Sequence, residues 1–313
     1  MLDNLILSLN IVLPLLFVMI VGYATRAVGM MSDKTVTQLN NVTFRVFLPI
    51  MLMNNVRAAS VGQGDGYSAL AFAVAVIVLL YVALMFIVPR FVAESRRCGT
   101  IVHALFRSNY SLFGMAVLGS LYPNETLTVP ALMITATVPV YNTLAVVCLE
   151  TFRGGKADMR VMVKKIARNP LIIGCLCGMA LMALGNPLPT FADKTLKDLG
   201  GVATTIALFC LGGSFRFEAL RGNGRLLTVV TFIKLVALPL ALLVPSVLLG
   251  YRGQALGSLL IAFGGPVAVS SFTMAQQMDS DSDLAAQLVI TTTLFSVLSI
   301  FLFIFFMKTA GLL

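Results

Sequence analysis

Ten long apolar runs, separated by short polar connections, occupy most of this 313-residue chain and constrain its fold more than any other feature. They cover roughly 5–25, 36–54, 67–89, 99–121, 128–150, 169–185, 199–215, 226–250, 254–277 and 285–308, judged by the length and continuity of their apolar stretches. A helix needs about 20 apolar residues to cross the hydrocarbon core of a bilayer. Only 11% of the residues are charged and 58% are hydrophobic, against about 25% charged in a soluble domain. Mean hydropathy is +0.96. Such a chain cannot clothe a water-soluble globule, and its connections leave no room for a large extramembrane domain. Outer-membrane barrels read as short alternating segments rather than long runs. The expected fold class is therefore an all-α membrane protein with ten transmembrane helices. The first run is not expected to be a cleaved leader: Asp3 and no Lys or Arg precedes it, and no small-residue cleavage site follows.

The net charge of +9 would suggest nucleic acid in a soluble protein. Here the cations sit between apolar runs, so they read as topology signals and no nucleic acid is expected. With the N-terminus outside, 14 Lys and Arg fall in inner connections and 5 in outer ones. That bias predicts a multi-pass protein of the cell (inner or plasma) membrane with both termini outside. The acidic run Asp279, Asp281 and Asp283 then falls inside, where acidic residues count little. The longest connection, 151–168, is basic and divides the chain into residues 1–150 and 169–313. Five runs in each half must be inserted in opposite senses, the arrangement of an inverted repeat. The linker reads as a cytoplasmic topology signal, with anionic lipid as an alternative partner. Cys98, Cys148, Cys175, Cys177 and Cys210 lack the spacing of a metal site and read as small apolar side chains. No cofactor and no metal is expected.

Two runs read as broken helices. The fourth contains His103, Arg107-Ser108-Asn109-Tyr110-Ser111 and Gly114; the ninth contains Gly264-Gly265-Pro266 and Ser270-Ser271. In lipid, such breaks survive only inside protein or beside a watery cavity. Interruptions in corresponding runs of two halves point to a transporter's substrate site; kinked helices packed through small residues are the alternative. Arg45, Arg107 and Lys234 lie within apolar runs, while no Asp or Glu does. A charge in the membrane costs at least roughly 2.5–3.5 kcal/mol and usually marks function. Three cations without a carboxylate at similar depth call for a bound anion, most simply a small carboxylate gripped by arginine. Alternatives stand beside each. Lys234 could snorkel to the inner face, and Arg45, read as mid-run, could bond to carbonyls freed by Pro49. His103 could titrate near neutrality or simply be a packed polar residue.

These residues resemble the auxin efflux carrier family, whose plant members are the PIN carriers and whose bacterial members include malonate-type permeases. The resemblance rests on Phe47-Leu48-Pro49, Phe106-Arg107-Ser108-Asn109-Tyr110 with Gly114, Lys234-Leu235 with Pro239, and Gly265-Pro266 with Ser270-Ser271. It extends over the ten-run layout and the central basic loop. It implies two inverted five-helix repeats, with helices four and nine crossing at their breaks. Helices 1, 2, 6 and 7 would form a scaffold that often dimerises, so a homodimer is expected. Helices 3–5 and 8–10 would form a transport domain moving like an elevator. The crossover would comprise Asn109, Gly114, Gly265 and Pro266. The fourth run has no proline at its break, where Ser111 and Gly114 stand instead, so the two breaks are not expected to match closely.

The expected function is a secondary transporter for a small organic anion, a mono- or dicarboxylate. The candidate substrate-binding residues are Arg107, Ser108, Asn109, Tyr110, Ser111, Arg45, Pro266, Ser270 and Ser271; His103 and Lys234 are candidates for a charge or proton role. The alternative is a ten-helix exporter of drugs or metabolites from another family. An enzyme is not expected, for the sequence offers no Ser/His/Asp set, histidine cluster or buried carboxylate pair. An ATP-driven pump is disfavoured by the lack of a phosphate-binding Gly-Lys-Ser/Thr loop.

Overall fold

A computed structural model describes residues 2–57, 66–153, 163–164, 167–215 and 217–313. Every regular element among them is helical. The first run forms α1 (Leu2–Ala27), and the second forms α2 (Asp33–Val42), a π-turn (Thr43–Phe47) and α3 (Leu48–Arg57). The third and fifth runs form α4 (Gly66–Ile87) and α7 (Thr128–Thr151). Between them, the fourth is divided into α5 (Ser95–Phe106), a π-turn (Tyr110–Gly114) and α6 (Met115–Leu121). In the second half, α8 is Pro170–Ala183 and α9 is Thr190–Ser214. The eighth run forms α10 (Phe217–Phe232), a π-turn (Ile233–Ala237) and α11 (Leu238–Leu248). The ninth is divided into α12 (Gly253–Gly264) and α13 (Ser270–Gln277), and the tenth forms α14 (Ser282–Thr309).

Local chemistry sets several boundaries. Ser32 caps α2, its Oγ accepting the Thr35 N–H at 3.2 Å. Asn169 caps α8 by accepting the Leu171 N–H at 2.9 Å, with Pro170 in the first turn where no N–H is needed. Asp281 caps α14 by accepting the Leu284 N–H at 2.9 Å. Among the described residues, five helices are long and apolar enough to cross a membrane: Gly66–Arg90, Thr128–Thr151, Thr190–Ser214, Asn223–Leu248 and Ser282–Thr309. Leu13–Ala27, Pro170–Ala183 and Gly253–Gly264 are apolar but shorter. With 14 residues, α8 rises only about 21 Å, short of the roughly 30 Å hydrocarbon core.

Small residues govern how the helices meet, as expected where lipid supplies no hydrophobic drive between them. A Cβ on Gly174 would collide with the Pro49 carbonyl, and one on Gly178 would lie 2.7 Å from the Met53 carbonyl oxygen. Each step is four residues on both helices, so α3 and α8 run parallel. Asn54 donates to the Leu196 carbonyl at 2.5 Å, and Thr204 donates to the Met51 sulfur at 3.4 Å. That opposite order makes α3 and α9 antiparallel. On its other side α9 meets α1, where Gly212 abuts the Met19 carbonyl and Gly22 abuts the Phe209 carbonyl.

The connections sort into two ends. At one end Gly253 donates its N–H to the Leu312 carbonyl at 2.9 Å, and Gln254 bonds Glu125 at 2.7 Å. At the other, Arg153 pairs with Asp279, Arg97 with Asp281 at 3.4 Å, and Thr100 bonds Ser280 at 2.9 Å. Asp279 and Asp281 of the acidic run thus pair with cations of their own end. Most of the linker 151–168 lies outside the described residues, with Lys156, Arg160 and Lys165; so does Arg216.

One cation stands elsewhere than its place in the sequence suggests, and another is buried among partners that the sequence does not reveal. Arg45 is exposed, because polar α2 occupies the first part of its run and shifts Arg45 towards the end where that run begins. Arg57 is buried against the connection between α8 and α9, with its guanidinium on Asn54 at 2.9 Å, Asn186 at 3.1 Å and Asp193 at 2.5 Å.

Candidate functional site

The fourth and ninth runs break at similar places. Both start with a 12-residue helix, α5 and α12. Residues 107–109 interrupt the first and residues 265–269 the second, so the breaks differ in length. Helix α5 stops when Arg107 turns extended, at φ −91° and ψ 128°. Ser108 and Asn109 follow, side chains that compete for backbone hydrogen bonds. The chain resumes with the Phe113 and Gly114 N–H groups sharing the Asn109 carbonyl, at 3.1 and 3.3 Å. Gly265 is extended at φ −64° and ψ 153°, as the residue before a proline prefers.

The two breaks meet. Asn109 donates its backbone N–H to the Pro266 carbonyl at 2.8 Å, and Ser108 Oγ donates to the Gly265 carbonyl at 3.3 Å. Gly114 permits the approach, since a Cβ there would lie 2.7 Å from Ile261 Cγ2; one on Gly265 would lie 2.6 Å from the Ile261 carbonyl oxygen. Backbone groups released by the breaks find partners, which buried irregular chain requires. Tyr141 donates to the Ala262 carbonyl at 2.8 Å, and the Val267 N–H reaches Thr292 Oγ1 at 3.1 Å.

Lys234 completes this set. It does not snorkel: it is 1% exposed and its ammonium donates to the Leu105 carbonyl at 3.1 Å and to Ser108 Oγ at 3.0 Å. A cation there faces the negative end of the α5 dipole. The π-turn Ile233–Ala237 carries it to the break.

Arg107 is 5% exposed. One guanidinium nitrogen donates to Asn142 Oδ1 at 2.8 Å and Ser270 Oγ at 2.7 Å. The other lies 2.9 Å from the Met274 sulfur and 3.3 Å from His103 Nε2. His103 Nε2 is also 3.5 Å from Ser271 Oγ. Among the described residues, neither Arg107 nor Lys234 pairs with a carboxylate.

A cavity of about 40 Å³ lies against the crossing, lined by Arg107, Ser108, Asn109, Tyr110, Ser111 and Ser270 together with residues of α3, α7 and α9. That is room for a few waters. Pro266 sits behind it as a backbone acceptor, and Ser271 and His103 stand behind Arg107. Arg45 is not part of it and lines a separate groove.

Sequence reasoning missed other participants. Asn142 and Tyr141 of α7 hold Arg107 and α12; their only signal was a polar pair beside Pro139 in an apolar run. Asn40, fully buried, joins α2 to α13: its Nδ2 donates to Gln276 Oε1 at 2.5 Å, and its Oδ1 accepts from Thr273 at 2.8 Å. Nothing in the sequence pairs residues so distant.

Comparison with known proteins shows the family of this chain. A family profile described as "Membrane transport protein" matches residues 7–304. An uncharacterized transporter of Methanothermobacter thermautotrophicus is 24% identical over 301 residues, covering 94% of this chain and 96% of that protein. An uncharacterized transporter of Methanocaldococcus jannaschii is 20% identical over 303 residues, covering 94% and 97%. Auxin efflux carrier component 6 of Arabidopsis thaliana is 26% identical over 141 residues, 42% of this chain and 24% of that protein. The chain belongs to the membrane transport protein family that includes the auxin efflux carriers. It is a transporter and a multi-pass membrane protein. The alternative of an exporter from an unrelated family falls away.

Proposed function

We propose that this family member is a secondary carrier for a small organic anion, a mono- or dicarboxylate, bound where the two broken helices cross. The observation that carries the reading is Arg107: a buried guanidinium at a cavity, held by neutral partners only. Such a group keeps its charge at any relevant pH and has no internal counter-ion, so an entering carboxylate supplies one through charge-assisted hydrogen bonds. The restarting helices, from Tyr110 and from Ser270, point their N-terminal ends towards the cavity and favour the same charge. Asn109, Ser108, Tyr110, Ser111 and Ser270 provide polar contacts. Lys234 holds the crossing together through the Leu105 carbonyl and Ser108.

Ten crossings as two inverted five-helix repeats account for the packing. Three crossings between α3 and α8 return the chain to the end where α3 began, so α8 must run parallel to α3, as it does. The glycine contacts join α1, α3, α8 and α9 into one group, the scaffold of this reading. The breaks and their neighbours α4, α7 and α10 to α14 make up the moving part. The cavity lies between the two groups and is small, so a substrate enters when they part in an elevator-like movement. Both termini outside follows from the distribution of Lys and Arg. A homodimer through the scaffold remains part of the proposal.

The test is thermal stability of the purified protein against malonate, malate, succinate, an aromatic acid and matched amines. A ligand at a hundred times its dissociation constant adds about 2.7 kcal/mol. Stabilisation by an acid and not by its matched amine is the expected result; a response to amines alone would sink the anion reading.

Asn40 provides a second test of the moving part. Its two hydrogen bonds to α13 contribute about 0.5–1.5 kcal/mol each. Asn40→Ala should therefore raise hydrogen exchange across 270–277 about tenfold, since 1.4 kcal/mol is a factor of ten. Unchanged exchange there would show that Asn40 does not hold α13 in place.

A further inference from the structure

A second basic site lies outside the crossing. A groove of about 420 Å³ opens beside the linker, and its lining includes Phe44, Arg45, Arg153, Lys164, Arg168 and Met278. Four stretches far apart in sequence meet there: the π-turn after α2, the end of α7, the end of the linker with the start of α8, and the end of α13. The charges are unequal. Arg153 is engaged by Glu150 at 3.0 Å and by Asp279. Arg45, Lys164 and Arg168 form no ion pair among the described residues, and all three are exposed. The N-terminus of α8 (14 residues) opens on the same groove and adds positive potential.

We propose that this groove binds a phosphate group. Two arginines offer planar forks that match phosphate oxygens, and Lys164 adds a point charge. Cations serving only as a topology signal need to lie at one end of the molecule; they need not converge from the π-turn, linker and α8 start on one groove. Phe44 and Met278 give it apolar wall beside the cations, which suits a lipid headgroup with its chains in the bilayer. A free phosphate compound shares the headgroup chemistry. The site is distinct from the Arg107 cavity, with which it has no lining residue in common, and it does not depend on the transported substrate.

The experiment uses the full chain, purified in neutral detergent. Phosphatidylglycerol, phosphatidylcholine and inorganic phosphate are titrated in separate arms, with bound lipid counted by native mass spectrometry and unfolding followed by heat. Phosphatidylglycerol is expected to bind at least tenfold more tightly than phosphatidylcholine, and Arg45→Gln/Arg168→Gln to lose at least that factor. Arg225→Gln, an exposed arginine outside the groove, should leave binding unchanged. Saturation by inorganic phosphate with the same dependence on Arg45 and Arg168 would support the site with a soluble ligand. Equal loss in Arg225→Gln would reduce the effect to general charge and overturn the proposal, as would equal binding of phosphatidylglycerol and zwitterionic phosphatidylcholine together with no saturable binding of inorganic phosphate. If the double variant does not fold, Lys164→Gln and the wild-type contrast between the two lipids decide in the same way.

Discussion

Arg107→Gln should abolish the response to organic anions while leaving the protein folded. A hydrogen bond to a charged group contributes about 1.5–3 kcal/mol, so a two-pronged grip on carboxylate is worth about 3–6 kcal/mol. Its loss corresponds to a fall in affinity on the order of a hundredfold to ten-thousandfold. The fold should persist because glutamine can still donate towards Asn142 and Ser270, the present partners of the guanidinium. Removing a buried charge also relieves its desolvation. The checks are binding to the purified protein and uptake into proteoliposomes. Arg107→Lys keeps the charge without the fork and should fall between the two. Wild-type affinity for the acid in Arg107→Gln would disprove the binding role.

Gly212→Ala is expected to cost more stability than any other single methyl group discussed here. The added Cβ would fall on the Met19 carbonyl, and backbone cannot rotate away as a side chain can. Overpacking costs about 1–3 kcal/mol where side chains can adjust; here α1 and α9 must separate, and Gly22 against Phe209 repeats the constraint one turn away. Melting should fall by on the order of 10 °C, since 1 kcal/mol corresponds to roughly 2–4 °C for a chain of this class. Gly201→Ala on the same helix meets nothing within 4 Å and should be neutral or slightly stabilising. Equal melting of the two variants would show that the α1–α9 contact does not set the spacing of these helices.

Helix positions were legible in the runs because lipid leaves backbone groups no outside partner. The breaks were legible for the same reason: Arg107-Ser108-Asn109 and Gly264-Gly265-Pro266 are costly at mid-membrane unless something uses them. Depth was less legible. The run 36–54 reads as one span, but α2 is polar and lies ahead of its apolar part, so the run's midpoint misplaced Arg45. That Lys234 lies inside its run was readable, but not its direction; only the Leu105 carbonyl and Ser108, from another part of the chain, explain why it stays buried. Arg57 was hidden because Asp193 and Asn186, its partners, belong to the other half of the chain.

Composition and pattern alone determined an all-helical membrane protein, the places where two helices break, and cations without carboxylates inside apolar runs. These are local properties, set by what a residue costs in lipid and what its backbone can pair with. That Asn109 meets Pro266, that Asn142 and Ser270 hold Arg107, and that Arg45 joins Arg168 rather than Arg107 were decided only by tertiary structure. Each brings together segments tens to hundreds of residues apart, set by how the helices pack, and no local periodicity records it.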